Sequence, residues 1–79
     1  MTNVHIPKAG MSTVEVDITA VLVQSGDRVE AGQPLIEIES EKTTFEIEAP
    51  VAGLVVEVRV SAGDIGEVGD VVLVIDETV

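Results

Sequence analysis

The sequence predicts an all-β domain, a flattened barrel or sandwich built from two similar halves. Valine and isoleucine dominate the apolar residues and Gly and Pro punctuate them regularly, the composition of short strands joined by turns. A stretch around residue 16 alternates with period two. Most informative is an internal repeat. Gly26-Asp27-Arg28-Val29-Glu30-Ala31-Gly32 recurs as Gly63-Asp64-Ile65-Gly66-Glu67-Val68-Gly69, and Leu35–Glu39 recurs as Val72–Asp76, both at an offset of 37. Ile6-Pro7-Lys8-Ala9-Gly10 recurs as Ala49-Pro50-Val51-Ala52-Gly53 at an offset of 43, so the first half carries six extra residues, roughly Met11–Val16. Two similar β halves suggest a pseudo-two-fold arrangement.

The first strand is expected at 3–6. Val14, Val16 and Ile18 then alternate with Glu15, Asp17 and Thr19, a half-buried strand. Val14, Ile18, Val21 and Leu22 also fit a helical spacing, and Ser12-Thr13-Val14-Glu15 matches a capping box. β-branched residues at 14, 16, 18, 19, 21 and 23 argue against that helix, because they lose side-chain freedom in it. Further strands are expected at 34–39, 44–49, 53–60 and 71–76, with short extended pieces near 28–30 and 65–67. Gly63-x-x-Gly66-x-x-Gly69 lacks the spacing of a dinucleotide loop and no helix follows it. Gly63 and Gly69 are the repeat partners of Gly26 and Gly32, so they read as turns.

Composition removes several function classes. At 79 residues the chain is expected to be one domain, 1–79. It has no Cys and one His, so disulfides, thiolate chemistry and a His-rich metal site are excluded. His5 reads as a structural or surface residue. A single aromatic residue, Phe45, provides no stacking platform for bases, and a net charge of −11 repels nucleic acid and anionic membrane. Apolar runs such as Ala20–Val23 and Val71–Ile75 are too short to span a bilayer. Residues 1–5 show no basic region leading into an apolar stretch, so no signal peptide is expected, and 76–79 show no Pro/Ala-rich linker. The expected setting is the cytoplasm, or the mitochondrial matrix in a eukaryote, with the domain monomeric.

The segment 35–50 carries the chemistry. Apolar residues fall on even positions first (Ile36, Ile38) and on odd positions after the turn (Phe45, Ile47, Ala49). Antiparallel partners share a face, so paired numbers must sum to an odd value. A sum of 83 pairs Ile38 with Phe45 and leaves Glu41-Lys42 as a two-residue loop; a sum of 85 gives a four-residue loop, 41–44. Lys42 lies at the hairpin tip in both cases, and Phe45 is expected in the core. Glu41-Lys42 is not the Asn-Gly or Asp-Gly that a tight primed turn prefers. Lys42 is the only cation between Arg28 and Arg59, amid Glu37, Glu39, Glu41, Glu46 and Glu48, and the 83 pairing sets Glu37 against Glu46, which costs stability.

Ile38-Glu39-Ser40-Glu41-Lys42-Thr43 resembles the lipoyl-attachment turn of 2-oxo acid dehydrogenase complexes, whose usual form is Glu-x-Asp-Lys-Ala. The resemblance covers the whole chain. It matches the carboxylate three residues before the lysine (Glu39), the Gly sixteen before (Gly26) and the Gly eleven after (Gly53), the latter two taken as turn glycines. Glu41 and Thr43 depart from the usual Asp and Ala. The stretch 41–50 is most similar to lipoyl domains of acetoin dehydrogenase acyltransferases. The resemblance implies two four-stranded antiparallel sheets, a barrel-sandwich hybrid, with the lysine at one end and the termini at the other. It further implies a lipoate-attaching enzyme and covalent lipoate on Lys42. The other implied partners are a thiamine-diphosphate-dependent first enzyme, an acyltransferase core and a flavin-dependent dihydrolipoamide dehydrogenase. Hard chemistry then belongs to the cofactors, and the domain is not an enzyme.

Attachment would turn an ammonium into a neutral amide and take the net charge from −11 to −12. Glu39, Ser40, Glu41, Thr43 and Glu46 around the turn, with Ser12 and Thr13 in the insertion, are the candidate recognition residues. Two alternatives share the fold. A biotin carrier would flank its lysine with Met, and a purely structural barrel-sandwich module would use no lysine chemistry.

Overall fold

A computed structural model describes residues 1–7, 15–41 and 43–78. The alternating β-branched segments form eight strands among these residues: β1 Thr2–His5, β2 Glu15–Val21, β3 Arg28–Val29, β4 Pro34–Glu39, β5 Thr44–Glu48, β6 Gly53–Val58, β7 Ile65–Glu67 and β8 Val71–Asp76. They pair antiparallel in two four-stranded sheets, β1-β8-β6-β3 and β5-β4-β2-β7. Between the sheets lie the inward side chains, with Ile6, Ile18, Leu35, Ile36, Ile38, Val55, Leu73 and Ile75 almost wholly removed from water. At about 25 cal/mol per Å² this apolar burial is the main stabilising term. No helix among the described residues is long and apolar enough to cross a membrane.

The repeat is a true structural symmetry. Advancing every strand number by four, with β8 followed by β1, turns one sheet order into the other. Individual hydrogen bonds follow the same operation. Gly26 N–H donates to Val55 O (2.7 Å) and Gly63 N–H to Ile18 O (2.8 Å), both partners displaced by 37. Ala49 N–H donates to Gln33 O and Ile6 N–H to Asp70 O, each 2.9 Å, now with the 43 offset on the first partner. The turns match too. Asp27 Oδ2 accepts from Gln24 N–H and Asp64 Oδ2 from Ser61 N–H, both at 2.8 Å, and Gly26 and Gly63 sit at φ +99° and +95°, where a side chain is strained. Even the ladder irregularity recurs, between Ile18 and Ala20 in β2 and between Val55 and Glu57 in β6. The extra residues therefore lie between Ile6 and Ile18; of the expected insertion, Glu15 and Val16 belong to β2 and 11–14 lie outside the described residues.

Two expectations need correction. Gly53 is not a turn glycine: it is the buried first residue of β6, and a Cβ there would come within 2.5 Å of Asp76 O and 2.8 Å of Ile75 Cγ2. Backbone approach, not backbone conformation, requires glycine. Gly53→Ala is expected to cost about 1–3 kcal/mol through overpacking, read in a denaturant melt. Phe45 faces the core side, paired with Ile38, yet it is half-buried and packs against the rim of the core. β5 is an edge strand, so parity sets its face while its outer flank stays open to water. Phe45→Ala is expected to cost about 2 kcal/mol rather than the 3–5 kcal/mol of a full core deletion. A melt showing the larger loss would place Phe45 in the interior.

The two ends of the molecule are distinct. β2 begins beside the end of β4 (Asp17 opposite Glu39) and leaves its own far end through Leu22, whose N–H donates to Leu35 O (2.9 Å). The chain then crosses to the other sheet, where Arg28 pairs with Leu54 and Leu54 with Asp76. Asp76 and the neighbouring Glu77, whose Oε2 accepts from Thr2 Oγ1 at 3.0 Å, thus close the end opposite to Glu39. The long axis measures 37 Å against 21 and 17 Å across.

Candidate functional site

The β4–β5 ladder settles the pairing between the two allowed by parity. Ile36 faces Ile47, Glu37 faces Glu46, Ile38 faces Phe45 and Glu39 faces Thr44. The ladder closes with Ser40 N–H donating to Thr43 O (2.8 Å), leaving two positions in the loop, 41 and 42. Neither loop residue favours a tight turn, and Ser40 supplies what they lack. Its hydroxyl accepts from Thr43 N–H (3.2 Å) and donates to Thr43 O (3.1 Å), so both backbone groups of Thr43 are held by one side chain. Glu41 and Thr43 are exposed and Ser40 half-buried. Lys42 itself lies outside the described residues, as do Lys8, Ser12 and Thr13.

Loss of the Ser40 hydroxyl removes a local tie without opening the core. Ser40→Ala is expected to leave the denaturation midpoint within about 0.5 kcal/mol. It is expected to slow covalent modification at position 42 severalfold, measured by intact mass against time.

The structure gathers Glu39, Ser40, Glu41 and Thr43 at one end of the β5-β4-β2-β7 sheet. Glu46 stands two residues further down β5 on the same face as Thr44. Across the sheet runs a row of exposed residues in register: Thr44, Glu39, Asp17 and Ile65. A second like-charge pair, Glu15 opposite Glu67, lies next to it. A shallow depression of about 370 Å³ separates β2 and β7 from the turn, lined by Glu15, Asp17, Glu39, Ser40, Glu41 and Ile65 among others. A larger one, about 510 Å³, lies against Arg59, Asp64 and Asp70. Its polar groups are committed elsewhere: Asp64 and Asp70 accept from turn amides of Ser61 and Glu67, and Arg59 Nε donates to Glu57 at 2.6 Å.

Among the described residues no group of three or more His, Asp or Glu is arranged to hold a metal ion. His5 is the last residue of β1, and its Nδ1 lies 3.0 Å from Gly69 O, a surface contact that ties β1 to the β7–β8 turn. Ile65 was not singled out by sequence; its repeat partner Arg28, a polar residue at an exposed strand position, is the signal that could have marked it.

Two four-stranded sheets related by a pseudo-two-fold, with a two-residue hairpin loop at one end, define a barrel-sandwich domain. The family described as "Biotin-requiring enzyme", the biotin/lipoyl domains, matches residues 2–75, and the chain belongs to this family. Its curated relatives include the dihydrolipoyllysine-residue acetyltransferase component of the pyruvate dehydrogenase complex from Corynebacterium glutamicum. That relative is 39% identical over 79 residues, or 96% of this chain and 12% of the relative. The same component from Pseudomonas aeruginosa is 38% identical over 71 residues, 90% of this chain and 13% of the relative. The chain thus spans about an eighth of the length of these relatives.

Among solved structures, urea carboxylase from Kluyveromyces lactis superposes with a TM-score of 0.79 at 29% identity, covering 95% of this chain and 6% of that one. The lipoyl domain of the 2-oxoglutarate dehydrogenase complex from Azotobacter vinelandii superposes equally well, TM-score 0.79 over 98% of both chains. At 19% identity that likeness speaks to the fold alone.

Proposed function

We propose that this chain is a lipoyl carrier domain, with Lys42 as the attachment point. A single observation carries the reading: the register that closes at Ser40 and Thr43 leaves one lysine in a two-residue loop, between exposed Glu41 and Thr43. Relatives named as dihydrolipoyllysine-residue acetyltransferases favour lipoate over biotin as the group carried. A carrier needs a long arm rooted at a fixed, exposed point. The Ser40 ties fix the root, and the exposed flanks leave the lysine's surroundings open to a partner's active site. Attachment forms an amide between the Lys42 amine and the lipoate carboxyl, and the ammonium gives up its proton and its charge. The lipoyl group, when bound, supplies a disulfide that accepts an acyl group reductively.

The domain contributes position and recognition, and catalysis belongs to its partners. These are a lipoate-attaching enzyme, a thiamine-diphosphate-dependent enzyme, an acyltransferase core and a flavin-dependent dihydrolipoamide dehydrogenase of a 2-oxo acid or acetoin dehydrogenase complex, in cytoplasm or mitochondrial matrix. Residues 1–79 act as one such domain. Incubation with a lipoate ligase followed by peptide mass mapping tests the reading. The adduct is expected on Lys42, and an adduct on Lys8 would overturn it.

A biotin carrier is the second reading, favoured by the family's description. Biotin-type flanks are Met on both sides, whereas Glu41 and Thr43 stand here. Changing both to Met is expected to make the domain a better substrate for a biotin ligase. Efficient biotinylation of the unchanged chain would reverse the order of the two readings.

A further inference from the structure

Ile65 is 69% exposed, although it is a large β-branched apolar residue on the edge strand β7. An apolar side chain on an open sheet edge invites aggregation, so edge positions are usually polar or charged. Strand geometry does not require it. Its symmetry partner is Arg28 on β3, at the end of the molecule away from the hairpin, where the same backbone position carries a charge. The asymmetry thus follows the lysine hairpin rather than the fold.

The surroundings of Ile65 are equally one-sided. It faces Asp17, which faces Glu39, and the same depression reaches Ser40 and Glu41 in the turn. Cross-strand carboxylates destabilise a sheet. Among the described residues three such pairs occur in this sheet: Asp17 with Glu39, Glu15 with Glu67 and Glu37 with Glu46. An apolar knob framed by carboxylates is complementary to a protein surface with an apolar pocket rimmed by Lys and Arg.

The enzyme that attaches the carried group must bring the short Lys42 side chain itself into its active site, so it must cover the surface next to the hairpin. We infer that Ile65 is a docking and specificity-determining residue that seats in an apolar, basic-rimmed pocket of the attaching enzyme. This rests on the lipoyl-carrier reading. The carboxylate row steers the approach and Ile65 fixes the register, which makes Ile65 a positioning residue with no part in the chemistry.

The test is steady-state lipoylation by a lipoate ligase, followed by intact mass, for the unchanged chain, Ile65→Arg, Ile65→Leu and Leu22→Arg. Ile65→Arg places a cation opposite Asp17 and adopts the residue of its symmetry partner, so its denaturation midpoint is expected to hold or rise. Its KM is expected to increase about tenfold with kcat little changed, the signature of a lost interface anchor. Ile65→Leu is expected to restore the original KM. Leu22→Arg makes the same change at the other end of β2, where Leu22 is 48% exposed, and is expected to leave KM unaltered. Equal KM values for Ile65→Arg and the unchanged chain, or an equal rise in Leu22→Arg, would overturn the inference while leaving the carrier reading intact. An unchanged chain that takes up no lipoyl group would overturn both.

Discussion

Lys42→Ala is expected to abolish lipoyl attachment completely and to leave the fold as stable as before. Both halves of this result follow from the hairpin. The ladder and the closure are made by Glu39, Ser40, Thr43 and Thr44, and the residues on either side of position 42 are exposed. Surface substitutions of this kind stay within about ±0.5 kcal/mol, and an exposed ion pair lost among the neighbouring glutamates is worth at most about 1 kcal/mol. Chemistry is the opposite case, because Glu41, the other loop residue, carries no amine. Paired denaturant melts and intact masses decide it. A large loss of stability would make the lysine structural, and a residual adduct would move the attachment site elsewhere.

Ile36→Ala is expected to have the largest effect on the fold itself. Ile36 lies in β4, an inner strand, between Ile47 of β5 and Val21 of β2, and it is wholly buried. Truncation removes apolar contacts and leaves a cavity that two flanking strands cannot both move to fill, a cost of about 2–5 kcal/mol. Domains of any size keep only about 5–15 kcal/mol in hand, and a chain this small sits at the lower end, so the variant is expected to be partly or wholly unfolded at 25 °C. Circular dichroism and a urea melt check this. An unaffected midpoint would mean that β4 does not lie inside the sheet.

The hairpin and the symmetry were legible in the sequence for a physical reason. Side chains alternate strictly along strands, so the even positions of Ile36 and Ile38 and the odd positions of Phe45 and Ile47 allowed only odd pairing sums, and the structure takes 83. The repeat offsets of 37 and 43 reappear as paired hydrogen bonds. Depth was not legible. Periodicity tells which face Phe45 occupies but not that β5 is an edge strand, and that alone leaves the ring half-exposed. Glycine roles were only partly legible: Gly26 is required by its positive φ, whereas Gly53 is required by the carbonyl of Asp76, distant in sequence. Strand ends shifted by a residue or two, with β1 at 2–5 and β6 stopping at 58, although Ile6 and Arg59 just beyond them still donate backbone hydrogen bonds to Asp70 O and Val72 O. Ile65 went unnoticed because three residues of β7 are too few to show a period.

The strand order that returns to itself under a shift of four also sets the first and last strands side by side, as in a ring. Met1 N lies 3.2 Å from Glu77 Oε1, so the gap between the first and last strands can be bridged by a short link. A circular permutant joined there and opened at the Ser25–Gly26 turn is expected to keep every ladder, and its new ends would leave from a loop at the end of the molecule away from the β4–β5 hairpin. Opened instead at Glu41–Lys42, the same ring would keep its sheets but present the lysine on a free chain end. The ladders on either side are untouched by both cuts, so the fold is expected to survive them; a firmly rooted arm is expected to survive only the first. Where the backbone is interrupted is therefore immaterial to the architecture and decisive for the cargo.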